Sequence, residues 1–238
     1  MIKAILFDLD GTLLPMDQDQ FVASYLKRLV KKLAPYGYDP KKLIDTIYAG
    51  ITAMYHNDGT QSNENAFWNV FTSRFGADSR KDEHIFMDFY NNEFHEAREA
   101  CGFAPESTEL IRFIREKGLR VALATNPLFP AVATHNRIRW AGLRPEDFEL
   151  VTAFENSCFC KPNPAYYQEI LNKLGLRAEE CLMVGNDATE DMAAEQTGMR
   201  VFLLKNLLIN TRQVDISRYP QGGFTELLAY IEKLENES

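Results

Sequence analysis

Ile2-Lys3-Ala4-Ile5-Leu6-Phe7-Asp8-Leu9-Asp10-Gly11-Thr12 reads as a short apolar strand that stops at two carboxylates spaced two apart. Side chains alternate along an extended chain, so Asp8 and Asp10 can face one pocket while Leu9 faces away. Two carboxylates placed together at the end of a buried strand repel each other and lose hydration. A fold keeps them when a divalent cation or a shared proton compensates. The carboxyl end of this strand is therefore the first place to expect chemistry.

Downstream of the strand the chain changes character. From about residue 17 to about residue 100 no strand pattern is present, and amphipathic helices are expected over Phe21 to Leu33, Pro40 to Tyr55, Asn63 to Phe75 and Asp82 to Phe94. Turn signals such as Pro35-Tyr36-Gly37 and His56-Asn57-Asp58-Gly59 separate them. From Gly102 onward helix and strand patterns alternate, which implies a parallel sheet covered on both faces. Helices are expected over Glu106 to Lys117, Pro130 to Ala141, Pro164 to Leu174 and Thr189 to Thr197, each stopped by a glycine. Strands are expected over Leu119 to Ala124, near Leu150, over Cys181 to Val184 and over Arg200 to Leu204. The expected fold class is α/β, a Rossmann-like doubly wound parallel sheet carrying an inserted all-helical domain. Residues 1–15 and 101–238 form the core and residues 16–100 the insert.

Composition narrows the function classes. The chain has 238 residues, 45% of them apolar, and a formal charge of -8, which argues against a nucleic-acid footprint because such a footprint is basic and clustered. The one cationic cluster, Lys27-Arg28 with Lys31-Lys32, alternates with Leu26, Leu29, Val30 and Leu33 at helical spacing and reads as a solvated helix face. No apolar run approaches the roughly 18 residues needed to span a bilayer, so no membrane partner is expected and a cytoplasmic location is the default. The four cysteines, Cys101, Cys158, Cys160 and Cys181, lack the spacing of zinc or redox pairs. His56, His84, His95 and His135 are scattered, with no signature of histidine catalysis.

Ligands of open parallel sheets bind beyond the carboxyl ends of the strands. Those ends are polar here. The first carries Asp8, Asp10 and Thr12; the Leu119 strand leads into Thr125-Asn126-Pro127; Lys161 stands before the helix at Pro164; and the Cys181 strand runs into Gly185-Asn186-Asp187, with Asp191 beyond. These groups suit one anionic ligand and one cation.

The four motifs, in this order, resemble the haloacid dehalogenase superfamily, in which an aspartate attacks the substrate and forms a covalent intermediate. In the phosphatase branch, of the phosphoglycolate phosphatase type, the opening motif is Asp-x-Asp-x-Thr, matched by Asp8, Asp10 and Thr12. Thr125 matches the hydroxyl motif, Lys161 the lysine motif, and Gly185 to Asp191 the acidic motif. The resemblance implies a Mg2+-dependent hydrolysis of a small phosphomonoester, with Asp8 as nucleophile and Asp10 as the acid and base. Lys161 would stabilise both Asp8 and a phosphoryl oxygen, while Thr125 and backbone amides near Asn126 bind the remaining oxygens. Hard oxygen ligands suit Mg2+, and Asp8, the Asp10 carbonyl and an acidic group of the last motif would supply them. That motif departs from the usual Gly-Asp, because Asn186 follows the glycine. Either Asp187 pairs with Asp191, or Asn186 takes the first position. An anionic oxygen holds Mg2+ better than an amide, which favours Asp187 next to the metal, with Asn186, Asp191 and Thr12 as supporting groups and Glu190 exposed.

Asp10 argues for phosphoryl transfer, because halide release needs no proton. The helical insert corresponds to a cap hinged near Leu14 to Asp17 and Ala100 to Phe103, which would enclose a small phosphorylated metabolite. Aromatic residues of the insert such as Tyr48, Tyr55 and Trp68 read as packing. A phosphomutase of the same superfamily and a phosphate-binding module without turnover are the alternatives.

Overall fold

A computed structural model describes residues 1–236. Six strands form one sheet: β1 (Ala4–Phe7), β2 (Arg120–Leu123), β3 (Leu150–Val151), β4 (Cys181–Gly185), β5 (Arg200–Leu204) and β6 (Gln221–Gly222). Their order is β3-β2-β1-β4-β5-β6, with every pairing parallel. The strands are apolar on both faces because both faces are covered. Ile5, Phe7, Val121, Leu123, Leu182, Val184 and Phe202 pack with α5 (Pro105–Glu116), α6 (Ala131–Trp140) and α8 (Phe224–Asn236). Ala4, Leu6, Ala122, Met183 and Leu203 face α7 (Pro164–Leu174) and the 3-10 turn Met192–Thr197. The fold is the expected Rossmann-like α/β class, and β1 lies at its centre. The strand order reverses there, since β2 and β4 leave β1 in opposite directions, and the carboxyl end of β1 opens into that crevice.

Between β1 and α5 the chain is helical: α1 (Gln18–Leu33), α2 (Pro40–Tyr55), α3 (Asn63–Phe75), α4 (Glu83–Asn91) and the 3-10 segment Glu93–Ala100. Where cap residues are local, the expected boundaries coincide with the observed ones. Asp39 accepts from the Lys42 N–H at 2.8 Å with Pro40 at the first position of α2, Ser62 accepts from the Asn65 N–H, and α7 runs from Asn163 and Pro164 to a left-handed Gly175. Other expectations need correction. The helix expected to reach Phe94 stops at Asn91, where the Asn92 side chain donates to the Asp88 carbonyl at 2.9 Å and competes with the helical ladder. The helix expected over Thr189 to Thr197 is only the 3-10 turn, and β6 and α8 were not anticipated. The basic face of α1 is not merely solvated: Arg28 pairs with Glu96 at 2.9 Å and Lys32 with Glu93 at 2.8 Å and with Asp88. Among the described residues no helix is long and apolar enough to cross a membrane.

Candidate active site

Asp8 follows β1 directly, and its two carboxylate oxygens are held from different sides. The Lys161 ammonium donates to Asp8 Oδ1 at 2.8 Å, and the Thr12 hydroxyl donates toward Oδ2 at 3.1 Å. Lys161 is 1% exposed and also donates to Asp191 Oδ1 at 2.6 Å, so one buried cation is shared by two buried carboxylates. Burial works against the Lys161 charge, but Asp191 and Asp8 together outweigh it and hold its pKa well above the ordinary lysine value. Burial pushes the Asp191 carboxyl up, with Lys161 opposing.

The end of β4 closes one side. Thr12 Oγ1 also lies 3.0 Å from Asn186 Oδ1, and the Asn186 amide donates to the Leu207 carbonyl at 2.6 Å, which fixes its oxygen on the Thr12 side. Gly11, with φ +84°, is needed for this approach, because a Cβ there would stand 2.3 Å from Asn186 Nδ2. Gly185 serves Asp191 in the same way, since a Cβ would fall 2.1 Å from Asp191 Oδ2. Asp187 is engaged differently: its Oδ1 accepts the N–H groups of Thr189 at 2.7 Å and Glu190 at 2.8 Å, capping the turn that leads into the 3-10 segment Met192–Thr197.

On the β2 side, the Thr125 carbonyl accepts from Thr152 Oγ1 at 2.6 Å and from the Tyr166 hydroxyl at 2.8 Å, which anchors the loop after the strand. The Asn126 side chain is a strut: its oxygen accepts from the Lys161 N–H at 3.2 Å, and its amide donates to Glu190 Oε2 at 3.0 Å and toward the Tyr55 hydroxyl at 3.2 Å. Asp8, Asp10, Thr125, Asn126, Asn186, Asp187 and Asp191 line one cavity of about 220 Å³. With Lys161 and Thr12 bonded into it, all the residues singled out from the strand ends meet in one place.

Three residues of the site were not read from the sequence. Arg137, 1% exposed on α6, forms an ion pair with Asp10 Oδ2 and lies 4.6 Å from the centre of the Phe129 ring. Burial raises the Asp10 carboxyl to about 6, with Arg137 opposing and Asp8 adding to the rise. Its signal was available, since Arg137 falls four residues after Ala133 and four before Ala141 on the buried stripe of α6, where a charge needs a partner. Tyr55, read as packing, instead reaches the Glu190 carboxylate at 3.3 Å. Glu190, expected to be exposed, lines the cavity, and burial raises its pKa. Both corrections depend on how α2 settles over the sheet.

The groups in the cavity that could ligate a metal beside Asp8 offer oxygen: the carboxylates of Asp10, Asp187 and Asp191 and the Asn186 amide. Such a set fits a hard divalent cation better than a soft one. Among the described residues, no three His, Cys, Asp or Glu side chains gather at metal-holding distance, so a cation here would rely on amide or carbonyl oxygen as well.

Residues 2–198 match the family model of haloacid dehalogenase-like hydrolases, and the chain belongs to that family and is a hydrolase. It is 27% identical over 204 residues to a phosphoglycolate phosphatase of Vibrio parahaemolyticus, covering 84% of this chain and 82% of that protein. It is 25% identical over 221 residues to a glyceraldehyde 3-phosphate phosphatase of Methanothermobacter thermautotrophicus, covering 92% of each. Among solved structures, a 2-haloacid dehalogenase from Pseudomonas syringae superposes with a TM-score of 0.64 at 20% identity, covering 98% of this chain and 100% of that one, which is a likeness of fold.

Proposed function

We propose that the chain is a Mg2+-dependent phosphatase that hydrolyses a small phosphomonoester through a phosphoryl-Asp8 intermediate. The observation that carries this reading is the Lys161 ammonium 2.8 Å from Asp8 Oδ1, in a cavity that also holds the Asp10 carboxylate. The phosphatase names of the relatives and the aspartate at position 10 favour phosphoryl transfer over dehalogenation. Residues 16–100 act in this reading as the cap.

Asp8 and the Asp10 carbonyl would hold Mg2+, and the geometry supports Asn186 as the third protein ligand in place of Asp187. The Asn186 oxygen shares the Thr12 hydroxyl with Asp8, whereas Asp187 caps a turn. When bound, Mg2+ offsets the negative charge gathered between Asp8 and the phosphoryl group. Lys161 holds Asp8 and faces one phosphoryl oxygen; the Thr125 hydroxyl and the backbone around Asn126 serve the others. An Asp8 oxygen bonds to phosphorus as the bond from phosphorus to the ester oxygen breaks, and Asp10 gives its proton to the departing alkoxide. Asp10 then takes a proton from the water that attacks phosphorus, which releases inorganic phosphate and restores Asp8. Phosphate release from an aryl phosphate is expected to vanish on chelation of Mg2+ and in Asp8→Asn, and to return with added Mg2+ in the wild type alone. Full activity in Asp8→Asn would refute the nucleophile.

A further inference from the structure

A second cavity of about 160 Å³ adjoins the first and shares Val22, Leu128 and Phe129 with it. Its walls come from α1 to α4 and from Leu128 to Pro130 and Phe154 of the core, and are almost wholly apolar, with Ile47, Ile51, Phe67 and Phe86 among them. Among the polar groups of the wall, the buried Trp68 Nε1 has no hydrogen-bond partner, whereas the two buried tyrosine hydroxyls pair with each other. Tyr25 and Tyr90 bond hydroxyl to hydroxyl at 2.9 Å. Phe129 divides the two spaces: the Arg137 guanidinium stands 4.6 Å from its centre, and the Tyr25 ring packs against it edge-on at 5.3 Å.

Charge decides what could enter. Besides Lys161, which Asp8 and Asp191 hold, the only cation among the described residues lining the two cavities is Arg137, and Asp10 already pairs with it. A second phosphate or a carboxylate on the leaving group would find no unpaired cation there, and the Glu190 carboxylate in the first cavity would oppose it. An apolar cavity of about 150 Å³ holds one benzene-sized ring, so the volume suits one ring or a chain of about six carbons.

Resting on the phosphatase reading, we infer that the second cavity is the leaving-group subsite and that the substrates are phosphomonoesters of uncharged aryl or medium-chain alkyl alcohols. The alkyl series from ethyl to octyl phosphate tests this, because its leaving groups differ little in acidity. The expected kcat/KM rises roughly fourfold per methylene up to about six carbons and then levels. Ile51→Trp, which fills the second cavity away from the reacting groups, is expected to flatten the series. A flat series in the wild type, or faster turnover of phosphoglycolate than of hexyl phosphate, would overturn the inference with the phosphatase reading intact. Calorimetric titration with hexylphosphonate and ethylphosphonate reads the subsite without turnover. Tighter hexylphosphonate binding, lost in Ile51→Trp, supports the subsite even if no ester is hydrolysed, and equal binding of the two probes contradicts it.

Discussion

Arg137 and Asp10 are bound together at the point where the leaving group would depart, so removing one side chain strands the other in a buried setting. Arg137→Met is expected to destabilise the protein by about 3 kcal/mol, and Arg137→Met with Asp10→Asn to recover most of that loss, because an uncompensated buried charge costs more than a missing pair. Urea unfolding of the three proteins measures this, and additive losses would show that the two residues act independently. The ligand assignment makes a second prediction at this scale. Asn186→Asp adds an anionic oxygen beside Asp8 and is expected to tighten Mg2+ about tenfold by calorimetry, while Asp187→Asn changes it little. Unchanged affinity in the first variant and a loss in the second would return the role to Asp187. The sequence carried Asp8, Asp10, Thr12 and Thr125 openly, because each stands at or just beyond a strand end, and Lys161 because it stands just before the helix at Pro164. Arg137 was legible only as a charge on the buried stripe of α6, and Glu190 was hidden because its burial depends on a neighbouring helix.

Between elements, Glu180 ties the start of β1 to the turn that enters β4. Its carboxylate takes Lys3 at 2.6 Å, and it caps the 3-10 turn Ala178–Glu180 by accepting the Arg177 N–H at 2.9 Å. Lys3, then the Arg177 N–H and guanidinium, hold the carboxyl down at about 2. A carboxyl depressed on folding contributes stability that is present above its unfolded pKa and lost as pH falls through the folded one. The wild type is therefore expected to have a higher Tm than Glu180→Gln at neutral pH, with the gap closing between about pH 4.5 and 2. A gap that stays constant across that range would contradict the assignment. Helices with local caps, such as α2, α3 and α7, were legible to the residue. The segment after β4 was not, because Asp187 spends its side chain on the N–H groups of Thr189 and Glu190, and no helical period reveals that competition.

Across the whole molecule, the helical segment leaves and rejoins the sheet at one place. Met16 bridges Cys101, and the Gly102 N–H donates to the Pro15 carbonyl at 2.7 Å, close to the hinge positions read from the sequence. Alternating patterns made the parallel sheet legible, whereas the apolar cavity between α1, α2, α3 and α4 was not, since aromatic residues at helical spacing look the same whether they fill a core or line a space. Phe71, Phe89 and Phe94 fill the core, while Phe86 lines the apolar cavity and Tyr55 and Phe129 border the site. All of the chemistry described depends on Asp8 carrying the phosphoryl group between substrate and water. Acid-quenched turnover followed by peptide mass spectrometry tests this directly: the account predicts a hydroxylamine-sensitive mass increase of one phosphoryl group on Asp8, absent in Asp8→Asn. Turnover with the adduct on another side chain, or with no adduct under conditions that trap acyl phosphates, would contradict it.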